Sequence, residues 1–143
     1  MTYALKQDLV DRFGELELIQ LTDRLNKPPT TVDDTVVSRA IDDATALIDG
    51  YVGKVYALPL ASVPPALTKV ACDIARYYLY GARAEKDGPI LRAHTEANSW
   101  LKDVSRGLVQ LDVGGDPPAA AGGGSVRATP PNRTFSRDTL RGL

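Results

Sequence analysis

Between Asp33 and about Val52 the apolar residues Val37, Ile41, Ala44, Ile48 and Val52 recur at three- and four-residue spacing, flanked by Ala40 and Leu47. That period lines them along one side of an α-helix, whereas a strand would alternate them between two faces. Asp33 and Asp34 open the segment, where a carboxylate accepts from free N–H groups and meets the positive end of the helix dipole. A helix with one apolar stripe must cover it with other elements, so the rest of the chain has to supply partners.

It supplies them as further helices. Pro65 or Pro64 can open a second one, because a missing N–H costs nothing in the first turn. Its stripe is Leu67, Val70, Ala71, Ile74, Tyr78 and Leu79, and Gly81 marks its end. Being apolar on more than one face, it is expected at the centre of the domain. A third helix is predicted from about Pro89 to Arg106, with Ile90 or Leu91, His94, Ala97, Leu101 and Val104 in line, Trp100 alongside and Gly107 as its cap. At the start, Thr2 to Phe13 reads as a short helix capped by Thr2, with Leu5, Leu9 and Phe13 on one face and Gly14 as the stop. Glu15 to Leu21 alternates as a strand would, but Leu18, Ile19 and Leu21 also suit one buried helical turn. The turn is favoured because no partner strand lies nearby. Asn26 to Thr31 (NKPPTT) is a loop and Tyr56 to Pro65 (YALPLASVPP) a tight apolar connector. Val37, Ile41, Ile48, Val70, Ile74, Leu101 and Val104 are expected to be buried together.

After Gly107 the character changes. Leu108 to Val113 (LVQLDV) alternates and suits a short strand, and Gly114 to Ser125 (GGDPPAAAGGGS) is a low-complexity linker. Val126 to Leu143 carries Arg127, Arg133, Arg137 and Arg141 against the single acid Asp138, while the other 125 residues carry 13 basic and 17 acidic side chains. The chain is thus an acidic body with a basic tail, and such tails are usually interaction arms. The expected fold class is all-α: a small bundle of about four helices with a possible short β-strand, residues 1–113, and an extended C-terminal arm, residues 114–143. At 143 residues, one small domain is what the length allows.

Residues with chemical potential are few. A lone Cys72 can form no intrachain disulfide, which suits a reducing compartment. It also needs a base to act as a nucleophile, and His94, the single histidine, is the sole candidate. A buried structural thiol and a packed or half-exposed histidine are the plainer readings. Asp33–Asp34 and Asp42–Asp43 are adjacent pairs, and neighbours on a helix point about 100° apart rather than converging. DRLNKPPTTVDD lacks the spacing of a calcium loop, and the glycines at 122–124 are not followed by the Lys-Ser/Thr of a phosphate loop. Neither enzymatic chemistry, a cofactor nor a metal is expected. MTYALKQDLVDRF lacks the apolar centre of a signal peptide and no run approaches 18 apolar residues, so a protein made and used in the cytoplasm is expected. Tyr77, Tyr78 and Tyr80 with Arg76 and Arg83 could stack on nucleic acid. The preferred reading has Tyr78 in the core and the other two tyrosines at a subunit interface.

Three strings then carry a family likeness: RFGELELIQLTDR (Arg12 to Arg24), IDGYVGKVYALPLASVPPAL (Ile48 to Leu67) and VACDIARYYLYG (Val70 to Gly81). Together with the closing FSRDTLRGL, they resemble the short Mu-like phage proteins that are similar to head–tail connector proteins, also called adaptor or head-completion proteins. The likeness spans roughly residues 3–113 and the terminus. It departs at Asn26 to Thr31, where relatives often carry an Asp/Gly-rich loop, so no ion-binding property carries over. The resemblance implies a non-enzymatic virion protein at the neck, assembled in the host bacterial cytoplasm. It implies a homo-oligomeric ring, a dodecamer matching the portal protein, through which genomic DNA passes without sequence-specific binding. The next neck protein, a stopper or tail terminator, would bind the ring, and a terminal arm would grip the portal. Arg133, Phe135, Arg137, Leu140, Arg141 and Leu143 are the candidate partner-binding residues of that arm. Two alternatives stand beside this. A small helical DNA-binding protein using its basic tail would show salt-sensitive DNA affinity as an isolated monomer, and a helical accessory subunit of an enzyme is the other.

Overall fold

The computed structural model describes residues 1–114. Five α-helices run in order: α1 Lys6–Phe13, α2 Glu15–Thr22, α3 Asp34–Val52, α4 Pro65–Tyr80 and α5 Pro89–Ser105, with a 3₁₀ turn Gly81–Arg83 after α4. The fold is all-α, and no strand occurs among the described residues. The count exceeds the expected four because Glu15–Thr22 forms a helix of its own rather than a single turn.

Helices α3, α4 and α5 pack as an up-down-up trio. The first turns of α3 (Val36, Arg39, Ala40) meet the end of α4 (Tyr78, Leu79), so the two run antiparallel. The first half of α4 (Ala66, Val70) likewise meets the second half of α5 (Ala97, Trp100). As its apolar breadth predicts, α4 is central and touches each of the other four helices. Val37, Ile41, Ile48, Val70, Ile74, Leu101 and Val104 all lie in one buried cluster, joined by Leu9 of α1 and Leu18 of α2.

The helix boundaries follow from local chemistry. Asp33 caps α3, its Oδ1 accepting from the N–H groups of Thr35 (2.9 Å) and Val36 (3.3 Å). Pro65 and Pro89 occupy the first positions of α4 and α5. Gly14 serves both as the end of α1 and the start of α2 with φ +88°, a value that L side chains rarely adopt, so the sharp corner there requires glycine. The corner redirects the chain so that α1 and α2 touch each other and both reach α4.

Three expectations are corrected. The first helix begins at Lys6, not at Thr2. Asp8 reaches back to accept from the Leu5 N–H at 2.7 Å and stabilises the start there. The residues that enter the core at this end are Tyr3 and Ala4, while Leu5 is left 65% exposed. Tyr78 is not core: it is 37% exposed at the solvent edge of α4. Leu108–Val113 forms no strand. It runs beside the α3–α4 connector, where the Leu111 N–H donates to Tyr56 Oη at 2.7 Å and Leu111 and Val113 are buried. One tyrosine hydroxyl and two buried side chains hold it, with no second strand to complete a ladder.

Candidate interaction surface

The groups with most chemical potential are kept apart by the helices that carry them. Cys72 is fully buried on the side of α4 that meets α1, near Arg12 and Asp8. Burial pushes its thiol up to about 11, so it is protonated and unreactive at neutral pH. His94 lies half-buried on α5, stacked on the Tyr77 ring at 4.0 Å between centroids. The Asn98 amide donates to its Nε2 at 3.0 Å and to its backbone carbonyl at 2.9 Å. An Nε2 that accepts places the ring proton on Nδ1. Desolvation lowers the pKa of the ring, so the neutral form dominates at pH 7. With the thiol turned toward α1 and the imidazole held against Tyr77 and Asn98, the two do not form a nucleophile–base pair.

The carboxylates are used structurally. Asp33 caps α3, and Asp34 pairs with Lys6 across to α1. Tyr3 donates its hydroxyl to Asp49, fastening the N-terminal segment to the last turn of α3. Burial, together with the Asp49 carboxylate, raises the Tyr3 phenol well above its ordinary value. Among the described residues no group of three His, Cys, Asp or Glu side chains is arranged to hold a metal ion. Thr45 Oγ1 is the sole buried side-chain polar atom left without a hydrogen-bond partner among the described residues.

Arg76 is the strongest inter-helix tie. Its Nε and Nη2 donate to the two carboxylate oxygens of Glu17 at 2.6 and 2.8 Å, joining α4 to α2. The same guanidinium lies 4.2 Å from the Phe13 ring centroid and 5.8 Å from that of Tyr80. A planar fork between a carboxylate and two aromatic faces is arginine chemistry that lysine cannot reproduce. Arg83 reaches the Gln20 carbonyl at 3.3 Å. The tyrosine–arginine cluster that could have stacked on nucleic acid is therefore divided. Arg76 and Tyr80 lock α2, Tyr77 covers His94, and Tyr78 alone faces solvent.

Among the described residues the surface also carries exposed apolar side chains. Leu16 (75% exposed), Leu25 (91%) and Leu108 (72%) stand out of the body unpaired. Leu25 is in the α2–α3 loop, which Asp23 organises. Its carboxylate accepts from the backbone N–H groups of Leu25, Asn26, Thr30 and Thr31 and from the Asn26 amide, at 2.9–3.1 Å. Those hydrogen bonds, the one from Thr30 foremost, hold the Asp23 carboxyl well below the usual carboxylate range. The prolines mark this stretch as a loop, but nothing in them points to Asp23 as its organiser. An Asp followed three residues later by Asn was the available signal. Between α4 and α5 an open cleft of about 270 Å³ runs past Lys69, Val70, Asp73, Glu96, Ala97 and Trp100, and this too was invisible in either helix alone. The six arm residues Arg133, Phe135, Arg137, Leu140, Arg141 and Leu143 lie outside the described residues, as does the whole segment 115–143.

Comparison with known proteins adds a lineage. The family model described as Bacteriophage Mu, Gp36 matches residues 3–128. "Gene product J" of Escherichia phage Mu is 33% identical over 116 residues, covering 79% of this chain and 78% of that protein. The Mu-like prophage FluMu protein gp36 of Haemophilus influenzae is 27% identical over 141 residues, 99% of this chain and 97% of that relative.

Proposed function

The chain belongs to the bacteriophage Mu Gp36 family, and from that premise we propose that it is a structural virion protein, one subunit of the head–tail connector ring. In this reading the ring docks beneath the portal protein, encircles the channel through which genomic DNA passes, and presents its far side to the next neck protein, a stopper or tail terminator. The ring is twelve-fold to match the portal, it assembles in the host cytoplasm, and it ends in the virion neck. No catalytic step is assigned to it.

The observation that carries the reading is the division of labour within the chain. Five charged side chains of the body (Arg76, Glu17, Asp33, Asp49, Asp23) fasten its own helices and loops. The last 18 residues combine four arginines with Phe135, Leu140 and Leu143. Arginine and aromatic residues are the types that dominate interface energetics. A rigid body with a terminal docking arm suits a ring that must grip a larger ring. No helix of the described residues is long and apolar enough to cross a membrane, in keeping with assembly away from one. The rival, a DNA-binding protein acting through its tail, meets an acidic body that would repel phosphate around that tail.

The experiment is electron cryomicroscopy of the protein alone and mixed with its portal. A monomer alone and a closed ring on the portal's tail-facing end is the expected result. Salt-sensitive DNA binding by the monomer, with no ring on the portal, would replace this reading by its rival.

A further inference from the structure

We infer that on the free subunit the C-terminal arm, residues 126–143, folds back into the cleft between α4 and α5, with Phe135 and Leu140 against Trp100, Val70 and Ala97. The inference rests on the reading of this segment as a docking arm and adds where it sits before it meets a partner.

Three observations lead there. The first is where the chain leaves the body. Gly114 lies against Ser62, close enough that a Cβ would stand 3.3 Å from the serine hydroxyl. Ser62 is in the connector just before α4, and the cleft begins at Ala66 in the first turn of that helix. The arm therefore departs beside the mouth of the cleft. The two larger depressions, of about 400 and 490 Å³, share Asp34, Ser38 and Asp42, so the region they occupy is at the start of α3. Because α3 and α4 run antiparallel, it sits at the far end of the bundle.

The second is reach. Phe135 is 21 residues past Gly114, and such a length spans up to ~70 Å when extended. The cleft from Ala66 to Asp73 needs only about 10 Å of helix rise. A tether this long to a site this near gives a high effective concentration without strain.

The third is chemistry. Val70 (7% exposed) and Ala97 (4%) form an apolar floor, with Trp100 half-buried beside them. Two carboxylates, Asp73 and Glu96, stand at its edges. Asp73 is engaged by Lys69 at 2.8 Å, while Glu96 forms no ion pair among the described residues. The arm brings what such a site takes: a net positive charge and apolar side chains spaced between arginines. Apolar floor with carboxylate rim, and apolar anchors with guanidinium flanks, are complementary surfaces.

Trp100 is the single tryptophan of the chain, so its fluorescence reports the cleft alone. Emission and acrylamide quenching are compared for the full chain, the full-length Phe135→Ala/Leu140→Ala variant and a chain lacking 126–143, each across a range of protein concentrations. Both changed proteins should emit further to the red and quench more readily than the full chain, by amounts independent of concentration. A synthetic peptide of residues 126–143 should reverse the shift in the truncated protein saturably. Glu96→Lys should weaken that peptide, with the loss shrinking at high salt. Spectra identical in all three proteins would overturn the inference. So would a shift that depends on protein concentration, which would assign the cleft to a second copy. A portal pull-down on the same preparations separates this from the functional proposal. Lost pull-down with unchanged tryptophan sinks only the cleft, and the reverse sinks only the portal docking.

Discussion

At the scale of single residues, the bundle depends on a few side chains that have no room to adjust. Ile74 is fully buried in the middle of α4, where α4 is enclosed by its neighbours. Ile74→Ala should cost about 2–5 kcal/mol, since the surroundings relax only partly into the cavity. A loss below about half a kcal/mol in urea titration would contradict the packing described. Cys72 and Tyr3 make a second, pH-dependent prediction. Both groups acquire charge by losing a proton, and burial raises both folded-state pKa values, Cys72 from 9.0 to about 11 and Tyr3 from 10.0 to higher still. The stability they contribute is therefore complete below the ordinary thiol pKa and is lost as pH rises through the alkaline range. The urea midpoint should hold from pH 7 to near 9 and then fall, and Tyr3→Phe should flatten the part of the fall above pH 10. In the folded protein the thiol should ignore Ellman's reagent at neutral pH and react once urea unfolds the chain. Reaction without urea would place Cys72 at the surface.

Among elements, the short pieces are held by tertiary ties rather than by their own propensity. α2 is two turns long, too short to persist alone. Leu18 and Leu21 sink into the core, Glu17 holds Arg76, and the Thr22 hydroxyl donates to the Leu18 carbonyl at 2.7 Å while accepting from the Asp33 N–H at 3.0 Å. That last link couples the end of α2 to the cap of α3. Segment 108–113 is the same kind of element. Burying Leu111 and Val113 contributes about 1.5–3 kcal/mol each, partly offset by the entropy of ordering the segment. A chain ending at Gly107 should therefore melt several degrees below one ending at Gly114 in a circular dichroism scan. Equal melting temperatures would mean that the packing of Leu111 on Tyr56 contributes nothing.

For the whole molecule, body and arm should be energetically separable. The body has a continuous core built from all five helices. Deleting residues 126–143 should accordingly leave the global melting transition nearly where it was, because any contact made in the cleft is a surface one. The same deletion should abolish or greatly weaken capture by immobilised portal. An unchanged pull-down would reject the docking role, and a large fall in melting temperature would make the arm part of the fold. The charge balance adds an expectation for the assembled ring. With 13 basic against 17 acidic side chains before Val126, the surface lining the channel should be acidic or mixed, letting DNA slide. A continuous arginine belt around the lumen would count against it.

What the sequence determined by itself is whatever depends on neighbours along the chain. The helical period of Val37 to Val52, the prolines opening α4 and α5, the aspartate capping α3 and the glycine corner at Gly14 are local, and each appears in the structure. The core followed as well, because the stripes had nothing else to pack against. Where a stripe ends, however, is decided by how far the neighbouring helices extend over it. Tyr78 and His94 have core spacing, yet Tyr78 stands at the edge beside the first turns of α3 and is exposed, and His94 is half-covered by the Tyr77 ring. The alternation of Leu108 to Val113 could not say whether a partner strand existed. The fold offered a tyrosine hydroxyl instead. The Arg76–Glu17 tie joins residues 59 positions apart, and the α4–α5 cleft exists only between two helices. Such features are products of packing, and no reading of the chain one segment at a time contains them.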